Sequence, residues 1–470
     1  MSERIAQDAQ GGAGGTGGAG GLRRSLGVRD LMVYGLLFIA PMAPVGVFGV
    51  LDAKSRGAVA TVYLAATVAM GFTAFSYAQM VRAVPRTGSV FAYARAGLGE
   101  GPGFVAGWMA MLDYLLIPAV AYLFSGIALH SLVPGVSRWV WTALAVVVTT
   151  ALNLVGVRTA ASVGFAVLAM EIAVLAVFVV AAVVVLVQDG ARRAWDTPFT
   201  AAGPFSLTAV ISAVSVAVLS YLGFDAIATF VEEAVGASAA VAQAVLWCLA
   251  LAGVLFVTQT YLAALLEPLT PAQLAADPVA QGSAFYDTVE AGVGHWLHVL
   301  VAASKAIGAA FAALAGQAAA GRLVFAMGRE GRLPRLLGSV DPVSAVPRRA
   351  LLAAAVITLA AAVWAANRDD GLDRLTSVVN VGALTAFALL HASVVGWYAV
   401  RHGSRDRLRH VVVPVLGIAV IGAVVYEAST TAQIVGVAWL AVGLVVLAVQ
   451  GSVGTGGTGD AGGDAVGGRR

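Results

Sequence analysis

The sequence predicts an all-α polytopic membrane protein of about twelve transmembrane helices, two of them broken in mid-span. Three observations carry this. The 470-residue chain is 60% hydrophobic and only 11% charged, with a mean hydropathy of +0.88, whereas soluble domains carry about 25% charged residues. Apolar runs of 18 or more residues recur along it, each long enough to cross a hydrocarbon core. Two of these runs hold proline or glycine at their centre, where a helix must kink or break. The net charge of +3 calls for no nucleic-acid partner. Cys248 is the single cysteine, so there is no disulfide framework and no thiolate cluster. Neither lysine, Lys54 nor Lys305, follows a glycine, which excludes a phosphate-binding G-K-[ST] loop.

Taken in order, residues 1–29 contain GGAGGTGGAGG and no apolar h-region. They read as a flexible tail rather than a signal peptide. Spans are expected near 30–53, 58–81, 102–131, 138–156, 162–187, 207–231, 239–266, 295–321, 350–366, 375–400, 411–426 and 432–450. Residues 451–470 form a second glycine-rich tail. With the N-terminus inside, 20 of the 28 Lys and Arg residues fall on cytoplasmic segments and 7 on outer ones, with Lys305 inside a span. This bias places both termini in the cytoplasm, and a cell-membrane location is expected. The outer loop Glu267 to Gly294 has four acids (Glu267, Asp277, Asp287, Glu290) and no Lys or Arg. It reads either as a weak funnel for cations or as an ordinary solvated loop.

The first break is Ala40-Pro41-Met42-Ala43-Pro44, with Gly35, Gly46 and Gly49 around it. The second lies at Ser220-Tyr221-Leu222-Gly223-Phe224-Asp225, about five spans later. Backbone groups freed at membrane depth are tolerated only where protein or a polar cavity meets them. Paired broken helices in corresponding places point to the binding site of a secondary transporter; the alternative is a pair of kinks with no ligand. Two prolines contribute no N–H, which leaves Met42, Ala43, Val45 and Gly46 as possible donors. That is a poor cradle for a carboxylate and favours a substrate without one, such as a diamine.

Two further stretches are distinctive: Pro85-Arg86-Thr87-Gly88-Ser89-Val90-Phe91-Ala92-Tyr93 after the second span, and Met327-Gly328-Arg329-Glu330-Gly331-Arg332-Leu333-Pro334 after the eighth. Both read as cytoplasmic turns with arginines for helix C-termini or headgroups. The pattern FTAFSYAQMVRAVPRTGSVFAYA, then GFDAIATFVEE, then GRLVFAMGREGRLP resembles the amino acid–polyamine–organocation (APC) permeases, over nearly the whole chain between its glycine-rich ends. Within that group, LDYLLIPAV at Leu112 to Val120 and the GFD…EE run are most similar to bacterial putrescine importers. The resemblance implies a transporter domain at 30–450. Its parts would be two inverted five-helix repeats, at about 30–187 and 207–400, and two extra helices at about 411–450. It also implies a site between helices 1, 3, 6 and 8, and alternating access driven by an ion gradient.

Charged groups at bilayer depth are costly and mark candidate functions. Asp113 has no basic residue within a helical turn and is followed by Tyr114, which offers a cation–π face. It suits an ammonium or a proton, or a structural partner on another helix; the resemblance implies the same position in putrescine importers. Asp225 suits an N-cap of the second half-helix, a cavity-facing ligand for an ammonium, or both, with Tyr221 and Phe224 beside it. Glu232 and Glu233 end this helix against its dipole; they read as an inner gate paired with an arginine such as Arg86, or as solvated. Glu171 lies in span 5, where some proton-coupled members of the family carry a lysine. It is read as the proton carrier or as a partner of Lys305, which is expected to snorkel outward. Ala306 to Gly316 contains no Ser or Thr, so oxygen ligands for sodium are scarce and a coupling proton is expected instead. The histidines show no ligand spacing, and no metal or cofactor is assigned. The expected function is import of putrescine or a related polyamine, with an amino acid as the alternative cargo. A membrane enzyme would need a convergent cluster such as H-E-x-x-H, which is absent, and a channel would repeat its pore elements.

Overall fold

The structure, a computed structural model, describes residues 26–85, 90–155, 160–231, 234–235, 237–329, 334–339 and 347–455. Residues 1–25 and 456–470 of the two tails, Arg86, Glu232, Glu233 and residues 330–333 lie outside the described residues, while the expected second tail begins inside a helix that runs on to Thr455. Among those described, seventeen α-helices follow one another, and the only β-type contact is an isolated bridge between Leu26 and Ala234. They are α1 (Val28–Ile39), α2 (Phe48–Lys54), α3 (Val59–Ala83), α4 (Val90–Leu98), α5 (Glu100–Leu132), α6 (Arg138–Val155), α7 (Ala160–Gln188), α8 (Thr197–Thr200), α9 (Leu207–Ala217), α10 (Ala237–Leu266), α11 (Pro271–Ala276), α12 (Pro278–Gly292), α13 (His295–Arg329), α14 (Arg348–Ala366), α15 (Gly371–Val394), α16 (Val413–Tyr426) and α17 (Thr430–Thr455). Short 3₁₀ turns at Ala43–Gly46, Val218–Tyr221 and Phe224–Phe230 mark the two breaks.

Eleven helical segments are long and apolar enough to cross a membrane, and a twelfth, Leu207–Tyr221, is a shorter apolar half. The expected count and both breaks are therefore present. The helices α5 and α15 sit inside the bundle, with buried residues all along them. By contrast α7 turns Val177, Val180, Val184 and Val187 outward, and α17 exposes Ile434, Val437 and Val445. Water does not tolerate apolar faces of this extent; lipid does. The polar groups inside are paired across helices. His391 meets Ser76 (2.7 Å), and Asn380 donates to the Ser215 carbonyl (2.6 Å).

Two stretches read as loops are helical. Val90–Leu98 forms α4 because Val90, Tyr93, Ala94 and Gly97 fall on one buried face. Gly97 lies directly against the Ser393 backbone, where a Cβ would collide. The outer segment after Glu267 folds into α11 and α12, each with its own cap: Thr270 with Gln273, then Asp277 on the amides of Val279 and Ala280. Of its four acids only Glu267 is buried; Asp277, Asp287 and Glu290 are exposed, each with a hydrogen-bond partner. Glu267 is 2% exposed and accepts from Thr288 and the Leu269 amide, while Asp287 accepts from Ser283.

Candidate functional site

The two breaks touch. Gly223 adopts φ +107°, and a Cβ there would lie 2.9 Å from the Phe38 carbonyl oxygen, two residues before the first break. Only glycine meets both the left-handed backbone and this approach. Helix α1 ends at Ala40, itself at φ 60°. From there the freed amides turn back on their own segment: Ala43 donates to Ala40 O (2.9 Å), Val45 to Met42 O (3.2 Å) and Val47 to Pro44 O (3.1 Å). The freed carbonyls are met from other helices. Gln259 on α10 donates to Pro41 O at 3.0 Å, and Lys305 on α13 to Met42 O at 3.0 Å. The break is thus occupied by donors at its carbonyls rather than lined by free amides. An ammonium at the C-terminal end of α1 also complements the helix dipole.

Lys305 does not snorkel. It is 3% exposed, points inward, and lies 5.1 Å from the centroid of the Phe124 ring. Glu171 on α7 is 2% exposed, shares a charge interaction with Lys305 and faces the Met42 amide. Its Oε1 has no hydrogen-bond partner. Room for it comes from Gly308 on α13, where a Cβ would run into the carboxylate. One opposite-charge pair therefore bridges α7, α13 and the first break.

The second break carries an acidic site. Asp225 lies in the first turn of Phe224–Phe230; Gly223, not Asp225, takes the cap position. The Asp225 carboxylate accepts from the Tyr77 hydroxyl at 3.3 Å. Asp113 and Tyr114 on α5 are close enough to Asp225 for its charge to act on both. Tyr93 on α4 feels the same charge, and its hydroxyl and Asp113 Oδ1 are buried without a partner. Among the described residues no Lys, Arg or His pairs with either carboxylate. Yet Asp113, Tyr114 and Asp225 all keep partial access. Two like-charged groups facing one another inside a bundle call for a cation or a proton between them. Phe224 is fully buried beside them against Tyr77 and Phe387.

Tyr221 is not part of this group. It is fully buried, bonds Thr67 at 2.6 Å and packs against Tyr63 and Phe256. Of Ala40, Pro41, Met42, Ala43 and Pro44, Met42 meets Glu171 and Lys305 and Pro41 meets Gln259, while Ala40 and Pro44 accept from amides of their own segment. Tyr77 and Tyr93 were missed as site residues. Both stand in the quoted motif of the second span and the stretch after it, and a tyrosine hydroxyl in an apolar helix is the signal that marks them.

Comparison with known proteins agrees with this architecture. The sequence profile described as amino acid permease matches residues 31–459. A low-affinity putrescine importer (PlaP) of Escherichia coli K12 is 28% identical over 433 residues, covering 91% of this chain and 93% of that protein. A methylthioribose transporter of Bacillus subtilis is 26% identical, covering 90% and 93%. A branched-chain amino acid permease (BcaP) of the same organism is 25% identical, covering 80% and 81%. With the family profile matching nearly the whole spanning region and its broken helices in place, the chain belongs to the amino acid permease family of the APC superfamily: it is a multi-pass membrane transporter and not an enzyme.

Proposed function

We propose that this permease imports a small organic cation, putrescine or a related polyamine, across the cell membrane by alternating access. Both termini face the cytoplasm in this reading. The observation that carries it is the Asp113–Asp225 pair, two half-buried aspartates with which no cationic side chain pairs among the described residues. Tyr77, Tyr93 and Tyr114 surround the pair with hydroxyls and aromatic faces suited to an amine. The first break, with its amides folded back and its carbonyls bonded, offers little to a substrate carboxylate. The similarity to a putrescine importer supports the same cargo.

Protons are the proposed coupling ion. Glu171 and Lys305 fill the space between α7, α13 and the first break, and α13 has no hydroxyl between Ala306 and Gly316. An amino acid is the second reading, favoured by the similarity to a branched-chain amino acid permease. The deciding experiment uses proteoliposomes under an inward proton gradient, with labelled putrescine and a labelled neutral amino acid, with and without sodium. Putrescine uptake on the proton gradient alone is expected. Uptake of the amino acid only would overturn the cation site.

A further inference from the structure

Away from the central site, the turn between α12 and α13 gathers three metal-ligating side chains. Gly294, at φ +129°, reverses the chain so that Glu290 in the last turn of α12 meets the first turn of α13. His295 and His298 stand there one helical turn apart, on one face. One ligand atom of each residue lies within 4.8 Å of the other two. Both rings address the same carboxylate through Nδ1: His295 at 3.2 Å from Oε1, and His298 in contact with Oε2.

The other nitrogen of His298 is held by a neighbouring hydroxyl. Nε2 lies 3.3 Å from Ser131 Oγ, and that hydroxyl donates its own proton to the Ala128 carbonyl at 2.8 Å. Ser131 therefore accepts, and Nε2 carries the hydrogen. Nδ1 is thereby turned toward the Glu290 carboxylate, on the side where His295 also converges. His298 is 4% exposed, stacked on Tyr286 and oriented by Ser131. A ligating imidazole is typically held in this way, its second nitrogen donating to a neighbouring group.

We propose that Glu290, His295 and His298 form a binding site for one divalent transition-metal ion of the zinc class. Two imidazole nitrogens and one carboxylate oxygen are a zinc donor set that leaves a further position for water. Glu290 and His295 are exposed, which leaves the ion an approach from solvent. A bound ion ties α12 to α13 and, through Ser131, to the end of α5. The sequence alone did not suggest this, because Glu290 belongs to a different helix from the two histidines.

The test uses full-length, tag-free protein in detergent, stripped with EDTA and desalted. Cobalt(II) is titrated by its visible absorption at pH 7.5, then displaced with zinc. One saturable equivalent is expected. His298→Gln and Glu290→Gln should each weaken it at least tenfold, and His402→Gln/His410→Gln should leave it unchanged. Ser131→Ala, which keeps all three ligands, should weaken it less than the ligand variants and covers the case in which those variants fail to fold. Absence of saturable binding to the wild type would overturn the proposal. Equal binding by wild type and His295→Gln/His298→Gln would show an adventitious metal only, with the same consequence.

Discussion

Replacing Asp113 by Asn tests the cation site most directly. The change keeps the shape of the side chain and removes one of two facing carboxylates. Asp113 Oδ1 has no protein hydrogen-bond partner, so few folded-state contacts are lost. What is lost is a charged acceptor for one end of a diamine. A hydrogen bond to a charged group contributes roughly 1.5–3 kcal/mol, which corresponds to about 10- to 150-fold weaker binding. Relief of the repulsion between Asp113 and Asp225 in the empty protein adds to the loss on the bound side. Initial rates of labelled putrescine uptake into proteoliposomes, over a wide concentration range, should show KM raised into that range or uptake abolished. Asp225→Asn should behave alike, and its amide oxygen can still accept from the Tyr77 hydroxyl. Monodisperse elution in size-exclusion chromatography would establish that both variants are folded. Normal putrescine transport by both would refute the assignment of the two carboxylates to the substrate.

Glu171→Gln should flatten the pH dependence of uptake, since it removes a buried titratable group beside Lys305 and the first break; an unchanged profile would take Glu171 out of the coupling mechanism. Gly223→Ala should lower both thermal stability and transport. The left-handed backbone alone costs an L-residue roughly 1–2 kcal/mol, and the added Cβ meets the Phe38 carbonyl. A wild-type melting curve would mean that the two breaks do not press together there. Asp52→Ala should destabilise strongly. Asp52 is fully buried and held by Arg193 through bonds of 2.8 and 2.9 Å, and breaking a buried pair by removing one partner costs about 3–5 kcal/mol. The readout is the thermal unfolding midpoint in detergent, and a shift of less than a degree would count against a structural role for the pair.

Much of this architecture follows from composition and periodicity. Twelve apolar runs, two of them interrupted, are properties of local sequence, because a bilayer core demands length, hydropathy and satisfied backbone groups from each span separately. Glycine and proline placed both breaks before any contact was known. Asp113, Asp225, Glu171 and Lys305 were conspicuous for a similar local reason: each is a charge where lipid would otherwise be.

Which of these charges meet was decided by the tertiary structure. Asp113 and Asp225 stand more than a hundred residues apart, and only the tertiary structure brings one within reach of the other's charge. Lys305 reads as a residue free to reach the interface, yet it turns inward onto the Met42 carbonyl of the first break. Tyr221 and Phe224 are near neighbours in sequence, but the irregular backbone between them sends one hydroxyl to Thr67 and leaves the other ring beside the acids. The Glu290–His295–His298 group exists only because Gly294 folds one helix back on the next. Sequence determined what crosses the membrane and where it breaks, since those depend on one segment and its solvent. The structure alone determined partners, since a partner depends on how several segments pack at once.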